Sequence, residues 1–230
     1  TIIINETGEF NLTINKPVEG ITNSKRVDFN VTAGKLVEKI FYVNHEQNIP
    51  REKVLCRDCR EFGESRIRTI SLKEGRNDLV IGAVDYSGER AEENILVFVD
   101  SKKPRITKTS PSNGFVTGIF HLEFEEEHPL EVILKYGNSQ TGFRNHSLNI
   151  SQDCVLNERY SCRAQIDLTD YNLQNIEYFF NVTDTAKNSN ESRKTKVSID
   201  ISNPIINSFN YESNGRKVDF VFKINDGNFR

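Results

Sequence analysis

Apolar residues recur at every second position in short runs along this chain. Val27, Phe29 and Val31 alternate with polar neighbours, as do Ile70 with Leu72, and Leu79, Ile81 and Ala83. So do Phe120, Leu122 and Phe124, Ile166 with Leu168, Ile176 through Val182, and Val218 through Ile224. A period of two sends successive side chains to opposite faces, so each run predicts a strand with one face in a core and one in water. Gly, Pro, Asn, Asp and Ser cluster between the runs, as turn chemistry demands. No window shows a convincing helical stripe. About seven short strands in roughly 100 residues predict a β-sandwich rather than a barrel or a βαβ fold.

The pattern repeats. Leu79–Gly88, then Ile95–Asp100, then Pro104-Arg-Ile106 is matched by Tyr178–Lys187, Lys196–Asp200 and Pro204-Ile-Ile206. Asp85 and Asp184 lie 99 residues apart, Asp100 and Asp200 100, and Pro104 and Pro204 100. The openings match too: Ser112-Asn-Gly114 recurs as Ser213-Asn-Gly215, Pro17-Val-Glu-Gly20 sits where Pro111-Ser-Asn-Gly114 does, and Arg26-Val-Asp-Phe29 returns as Lys217-Val-Asp-Phe220. The expected organisation is one unit over residues 5–100, a second over 101–203, and the opening of a third over 204–230. Residues 1–4 read as the last strand of a preceding unit, or as a strand donated to the incomplete third unit of another copy. The short, Pro-containing connections after Asp100 and Asp200 predict an end-to-end, semi-rigid array.

The run Ala83-Val-Asp-Tyr-Ser-Gly88, the closing strand into Asp100, Pro104-x-Ile106 and the Pro-Ser-Asn-Gly turn resemble tandem immunoglobulin-like domains of archaeal and bacterial cell-surface proteins. The resemblance implies an all-β chain of tandem Ig-like β-sandwich domains. The chain has no Trp, and the inter-sheet Cys pair of antibody domains is missing, which sets it apart from the antibody branch.

Composition narrows the function. A net charge of -3 over 230 residues leaves no basic footprint for nucleic acid. The longest apolar stretches, such as Asn94–Val99, fall far short of the roughly 20 residues a bilayer helix needs. The lack of Met and the strand-like opening fit a mature or excised piece of something longer. Four Cys form two close pairs, Cys56 with Cys59 and Cys154 with Cys162. Three pairings are open, and the within-unit one closes most easily. As loop staples in an oxidising compartment they would contribute roughly 2 and 2.5 kcal/mol. A redox site would want a helix N-terminus, and zinc would need thiolates from both units to converge. Asn-x-Ser/Thr sequons at Asn5, Asn11, Asn30, Asn145, Asn149, Asn181 and Asn190 lean the same way, toward a glycosylated extracellular protein. Alternation turns Asn30 and Asn181 outward, while Asn145 and Asn149 fall in a loop-like stretch.

Candidate chemistry is sparse. His45, His121, His128 and His146 show no ligand spacing, and no nucleophile elbow, phosphate loop or EF-hand occurs. Glu125-Glu-Glu127-His128 reads as a solvated turn after the Phe120–Phe124 strand. Asp85, Asp100, Asp184 and Asp200 resemble the calcium aspartates that close cadherin-type repeats, but Lys102 and Lys103 oppose a divalent ion at the first junction. Asp85 and Asp184 otherwise read as turn-formers, and no cofactor is expected. A lectin-like module would want exposed aromatics, whereas most of the 15 Phe fall at core parity.

These residues point to a non-catalytic, extracellular structural or adhesive segment of a microbial, preferably archaeal, surface-layer, sheath or fibre protein. Its partners would be further copies of itself, neighbouring surface proteins or glycans. The alternative is an accessory spacer of a large secreted hydrolase whose catalytic domain lies elsewhere.

Overall fold

The structure, a computed structural model, describes residues 10–203 and 205–225, apart from the side chains of residues 214 and 225. The strand expected at residues 1–4, the sequon at Asn5 and the linker residue Pro204 lie outside the described residues. The chain divides into two compact units, the first running to Lys102 and the second starting at Lys103, with the short turn Ala186–Asn188 grouped with the first.

The first unit contains β1 (Leu12–Lys16), β2 (Gly20–Thr22), β3 (Arg26–Asn44), β4 (Lys53–Phe62), β5 (Arg68–Ser71), β6 (Gly75–Val84) and β7 (Arg90–Val99). The strand order is β1-β3-β6-β7-β2, with β4 and β5 also on β3 and with β2 parallel to β7. At 19 residues, β3 serves both layers. Its Arg26–Phe29 half pairs with β5, and its Lys39–Asn44 half pairs with β6. The pairing with β4 shifts between Thr32 and Val37, where the strand crosses over. Its inward side chains Phe29, Val31, Ala33, Val37 and Ile40 join Leu79, Ile81, Ala83, Val97 and Val99 in one core. Each such Val, Leu, Ile or Phe side chain removed from water contributes about 1.5–3 kcal/mol.

The second unit contains β8 (Arg105–Ser110), β9 (Phe115–Val116), β10 (Ile119–Glu125), β11 (Pro129–Asn138), β12 (Gly142–Leu148), α1 (Ile150–Asp153), β13 (Cys154–Leu156) and β14 (Tyr160–Gln165). It continues through a 3-10 turn at Thr169–Tyr171, β15 (Asn175–Asp184), β16 (Ser189–Glu191) and β17 (Thr195–Ile199). One sheet runs β13-β14-β10-β8, the other β12-β11-β15-β17-β9 with β16 on β15. In immunoglobulin lettering these are D-E-B-A and C′-C-F-G, with β9 added in parallel. The fold is an all-β, immunoglobulin-like β-sandwich. The alternating residues Phe120, Leu122 and Phe124, and Ile176, Tyr178, Phe180 and Val182, are all at most 1% exposed. The two units differ at the B–C passage. Here Glu126-Glu127-His128 breaks the chain between β10 and β11, where the first unit runs on as β3.

Beyond the second linker, β18 (Ile205–Asn214) and β19 (Lys217–Asn225) pair as a separate two-stranded sheet. Phe209 packs 5.8 Å from Phe220 and 5.1 Å from Phe222, on a hairpin whose apolar side chains remain largely exposed.

Candidate functional site

For a chain read as a spacer, the working parts are its staples and the points where the backbone leaves each sandwich. Both cysteine pairs form disulfides within a unit, Cys56–Cys59 and Cys154–Cys162. They are strand staples, which corrects the loop placement expected from sequence. Cys56 and Cys59 both lie in β4, opposite Ile40 and Val37 of β3, with Asp58 between them at a positive φ of 48°. Cys154 of β13 and Cys162 of β14 are direct cross-strand partners, and Cys162 is buried in the core. The turn residues that make these segments look like loops are accommodated by a kink in β4 and by a tight hairpin between β13 and β14.

Each sandwich also holds the segment that leaves it, through the corner that leads into β6 in the first unit and into β15 in the second. In the first unit this corner precedes β6. Glu74 there accepts from the Ser101 amide at 2.8 Å and the Ser101 hydroxyl at 2.7 Å, while Lys25 approaches the same carboxylate at 3.2 Å. The Ser101 hydroxyl, more than any other group, holds the Glu74 carboxyl below its ordinary pKa. In the second unit Asn172 plays this part: its Oδ1 accepts from the Ile201 amide at 3.0 Å and its Nδ2 donates to the Ser202 hydroxyl at 3.1 Å. Asp100 and Asp200 begin both exits in the same way, each accepting from the amide two residues on, Lys102 at 3.3 Å and Ser202 at 3.0 Å. Sequence reasoning missed these clasps, and the repeat gives no signal for them: with Asp100 on Asp200 and Pro104 on Pro204, Ser101 falls on Ile201 and not on Ser202.

The corners themselves are closed by different chemistry. Asn77, fully buried, accepts from Asn44 at 2.8 Å and the Lys73 amide at 3.2 Å. It also donates to the Lys73 carbonyl at 2.8 Å and the Gly75 carbonyl at 3.0 Å. At the second corner, buried Tyr171 packs 6.0 Å from the Tyr136 ring with the Arg144 guanidinium 5.4 Å above it, and its hydroxyl has no hydrogen-bond partner among the described residues.

The candidate aspartates divide. Asp85 is a turn-former: its Oδ1 accepts from the amides of Ser87 at 2.8 Å and Glu89 at 2.9 Å and from the Ser87 hydroxyl. Its Oδ2 meets the Lys35 ammonium at 2.8 Å. Lys35 first, then the Ser87 hydroxyl, hold this carboxyl well below the usual carboxylate range, and Asp85 in turn raises the Lys35 pKa. With an ammonium on one oxygen and three donors on the other, Asp85 offers a cation little. Asp184 is buried at the end of β15. In the acidic turn, Glu125 pairs with Arg105 at 3.0 Å and Glu126 accepts from the His128 amide at 2.9 Å. His45 and His121 are exposed, and His146 lies half-buried on β12.

The sequons are unequal. Asn145 is exposed but on the edge strand β12, opposite Lys135, instead of the expected loop. Exposed Asn149 caps α1, its Oδ1 accepting from the amide and hydroxyl of Ser151 at 3.1 and 2.7 Å. Asn190 commits its Nδ2 to the Pro104 carbonyl at 2.9 Å, and half-buried Asn181 accepts from Ser189 at 2.6 Å. Asn30 accepts from Asn15 at 3.2 Å, and Asn11 is exposed. Among the described residues no helix is long and apolar enough to cross a membrane.

No protein-family model matches the chain, and no curated protein sequence matches it. Among solved structures, the fibronectin(III)-like modules of Clostridium thermocellum CbhA are similar over 83% of this chain and 94% of theirs, at 16% identity and a TM-score of 0.38. The dimeric latent PorU of Porphyromonas gingivalis is similar over 96% of this chain but 27% of its own length, at 12% identity and a TM-score of 0.34. Chicken CNTN1 FN1-FN3 domains are similar over 92% of this chain and 73% of theirs, at 7% identity and a TM-score of 0.36. These scores are low, and the sandwich assignment rests on the strand order itself.

Proposed function

We propose that this chain is a non-catalytic, disulfide-stapled segment of an extracellular microbial surface protein, built from tandem Ig-like units, that spaces and presents contacts. The observation that carries this reading is the pair of exit clasps. Glu74 and Asn172 tie the departing backbone to the sandwich it leaves, so neither linker begins as a free swivel. A spacer depends on such a feature, because the direction in which its chain leaves sets where the next contact is presented. The disulfides support an oxidising address, since such bonds persist outside the cytosol. The β18–β19 hairpin, with its uncovered aromatic side chains, fits the opening of a third unit. In a surface-layer, sheath or fibre setting the partners would be copies of itself, neighbouring surface proteins or glycans, and calcium at Asp100 or Asp200 would be an accessory to the junctions.

Two measurements test this. Small-angle scattering should show a broader distribution of radii for Glu74→Ala than for the parent chain; identical distributions would remove the clasp from the account. Intact mass of the native protein, reduced and non-reduced, with and without deglycosylation, should show two bridges and added sugar. Free thiols with no added mass would place it inside the cell and end the surface reading.

A further inference from the structure

The second unit carries a cleft of 510 Å³ where β11, β12, β15 and β17 end together. That size lies within the usual range for small-ligand sites. Its wall includes Phe143, which is 48% exposed and so stands outside the core parity expected for most of the phenylalanines. The ring is fixed from behind: it meets Phe179 edge-on at 6.0 Å, and Phe179 lies beneath the ammonium groups of Lys135 at 5.5 Å and Lys194 at 5.1 Å. Single exposed aromatics are ordinary on protein surfaces. One held in place at the wall of a cleft, with a hydrogen-bonding rim, is a platform.

The rim is polar without being charged overall. Glu177 and Lys196 face one another at 3.6 Å and cancel. Asn175, which also lines the cleft, accepts from the Ser198 hydroxyl at 2.7 Å with its Oδ1, so its Nδ2 remains the group with hydrogens to donate. Ser139 adds a hydroxyl. A purely apolar ligand would strip water from these groups and leave them unpaired, at a cost of about 1–3 kcal/mol each. An ionic ligand gains little from a paired carboxylate and ammonium. The remaining chemistry is a neutral ring with one C–H face for the aromatic and a girdle of hydroxyls for the rim. We propose that this cleft binds a pyranose unit of a neutral polysaccharide, stacked on Phe143 and held by Asn175, Glu177 and Lys196. The site goes beyond the spacer reading and does not depend on it, because a chain with loose exits would carry the same cleft.

The test uses the whole chain, made with its disulfides but in a host that adds no sugar, so that its own glycans cannot compete. It is run through native gels containing an α-mannan, a β-1,3-glucan, a galactomannan or a dextran, with a sulfated polysaccharide as the anionic arm. At least one neutral polymer should retard it. Phe143→Ala should weaken that binding about tenfold or more, with Phe143→Tyr close to the parent. Lys196→Ala, at an exposed position, should weaken it while leaving the thermal midpoint unchanged. Salt between about 0.05 and 0.5 M should have little effect, because no net charge is neutralised. The proposal is overturned if no neutral polymer retards the chain. It is also overturned if a folded Phe143→Ala binds like the parent, or if only the sulfated polymer binds and salt releases it.

Discussion

The two sandwiches turn matching corners, one into β6 and the other into β15, with opposite polar strategies. The first buries an amide and satisfies it completely: Asn77 bonds to Asn44, to the Lys73 amide and carbonyl, and to the Gly75 carbonyl. The second buries a phenol and leaves its hydroxyl unpaired, relying on the Tyr171 ring against Tyr136 and Arg144. The same bend is therefore held by hydrogen bonds in one unit and by packing in the other. A buried polar group contributes only when its partners are present, and costs free energy when they are not.

The largest effect should come from breaking the satisfied corner. Asn77→Ala orphans several buried backbone groups and the Asn44 amide, so chemical unfolding should show the first unit losing about 2–4 kcal/mol. A loss below about 1 kcal/mol would mean that the network is worth no more than its contacts with water.

Next come the staples, which sharpen the comparison by size of loop. Cys154→Ala with Cys162→Ala should cost the second unit roughly 2.5 kcal/mol or more, because buried Cys162 also leaves a gap, and Cys56→Ala with Cys59→Ala should cost the first roughly 2. Equal and negligible losses would show that the strands hold without bridges.

Acid should separate the units by way of Asp85. Its folded pKa is depressed, so its contribution is present above the unfolded value near about 4 and is lost as pH falls through the folded value. Lys35, with a raised pKa, loses its share only as pH rises through that raised value. Thermal midpoints should therefore drop for the first unit on acidification, and Asp85→Asn should flatten that dependence while lowering stability at neutral pH. An unchanged acid profile in Asp85→Asn would assign the effect elsewhere.

The smallest effect is the mirror of the first. Tyr171→Phe should be neutral or stabilising by up to about 1 kcal/mol, since it removes a buried hydroxyl that finds no partner among the described residues. A clear destabilisation would reveal a buried water on that hydroxyl and erase the contrast between the corners.

Alternation made the cores legible. Leu79, Ile81 and Ala83, like Phe120, Leu122 and Phe124, are buried where a period of two puts them, because a half-buried strand admits only one register. The length of β3 was not legible, since Gly34 and Lys35 look like a turn; the backbone there is held from a distant segment, with Ala33 opposite Leu12 of β1 and the Gly34 amide donating to the Asn11 carbonyl at 2.8 Å. Phe179 escaped as well: on the outer face, it is buried by Lys135, Lys194 and Phe143, through contacts distant in sequence. The exit clasps were hidden for the same reason, Glu74 and Ser101 being 27 residues apart.

The central claim is that the sandwich holds its departing backbone firmly enough to act as a spacer, and backbone ¹⁵N relaxation on the parent chain and on Glu74→Ala tests it most directly. The account predicts that the Ser101 and Lys102 amides are as ordered as those of β7 in the parent and lose that order in the variant. Amides at Ser101 and Lys102 that are already mobile in the parent, and unchanged in the variant, would contradict it.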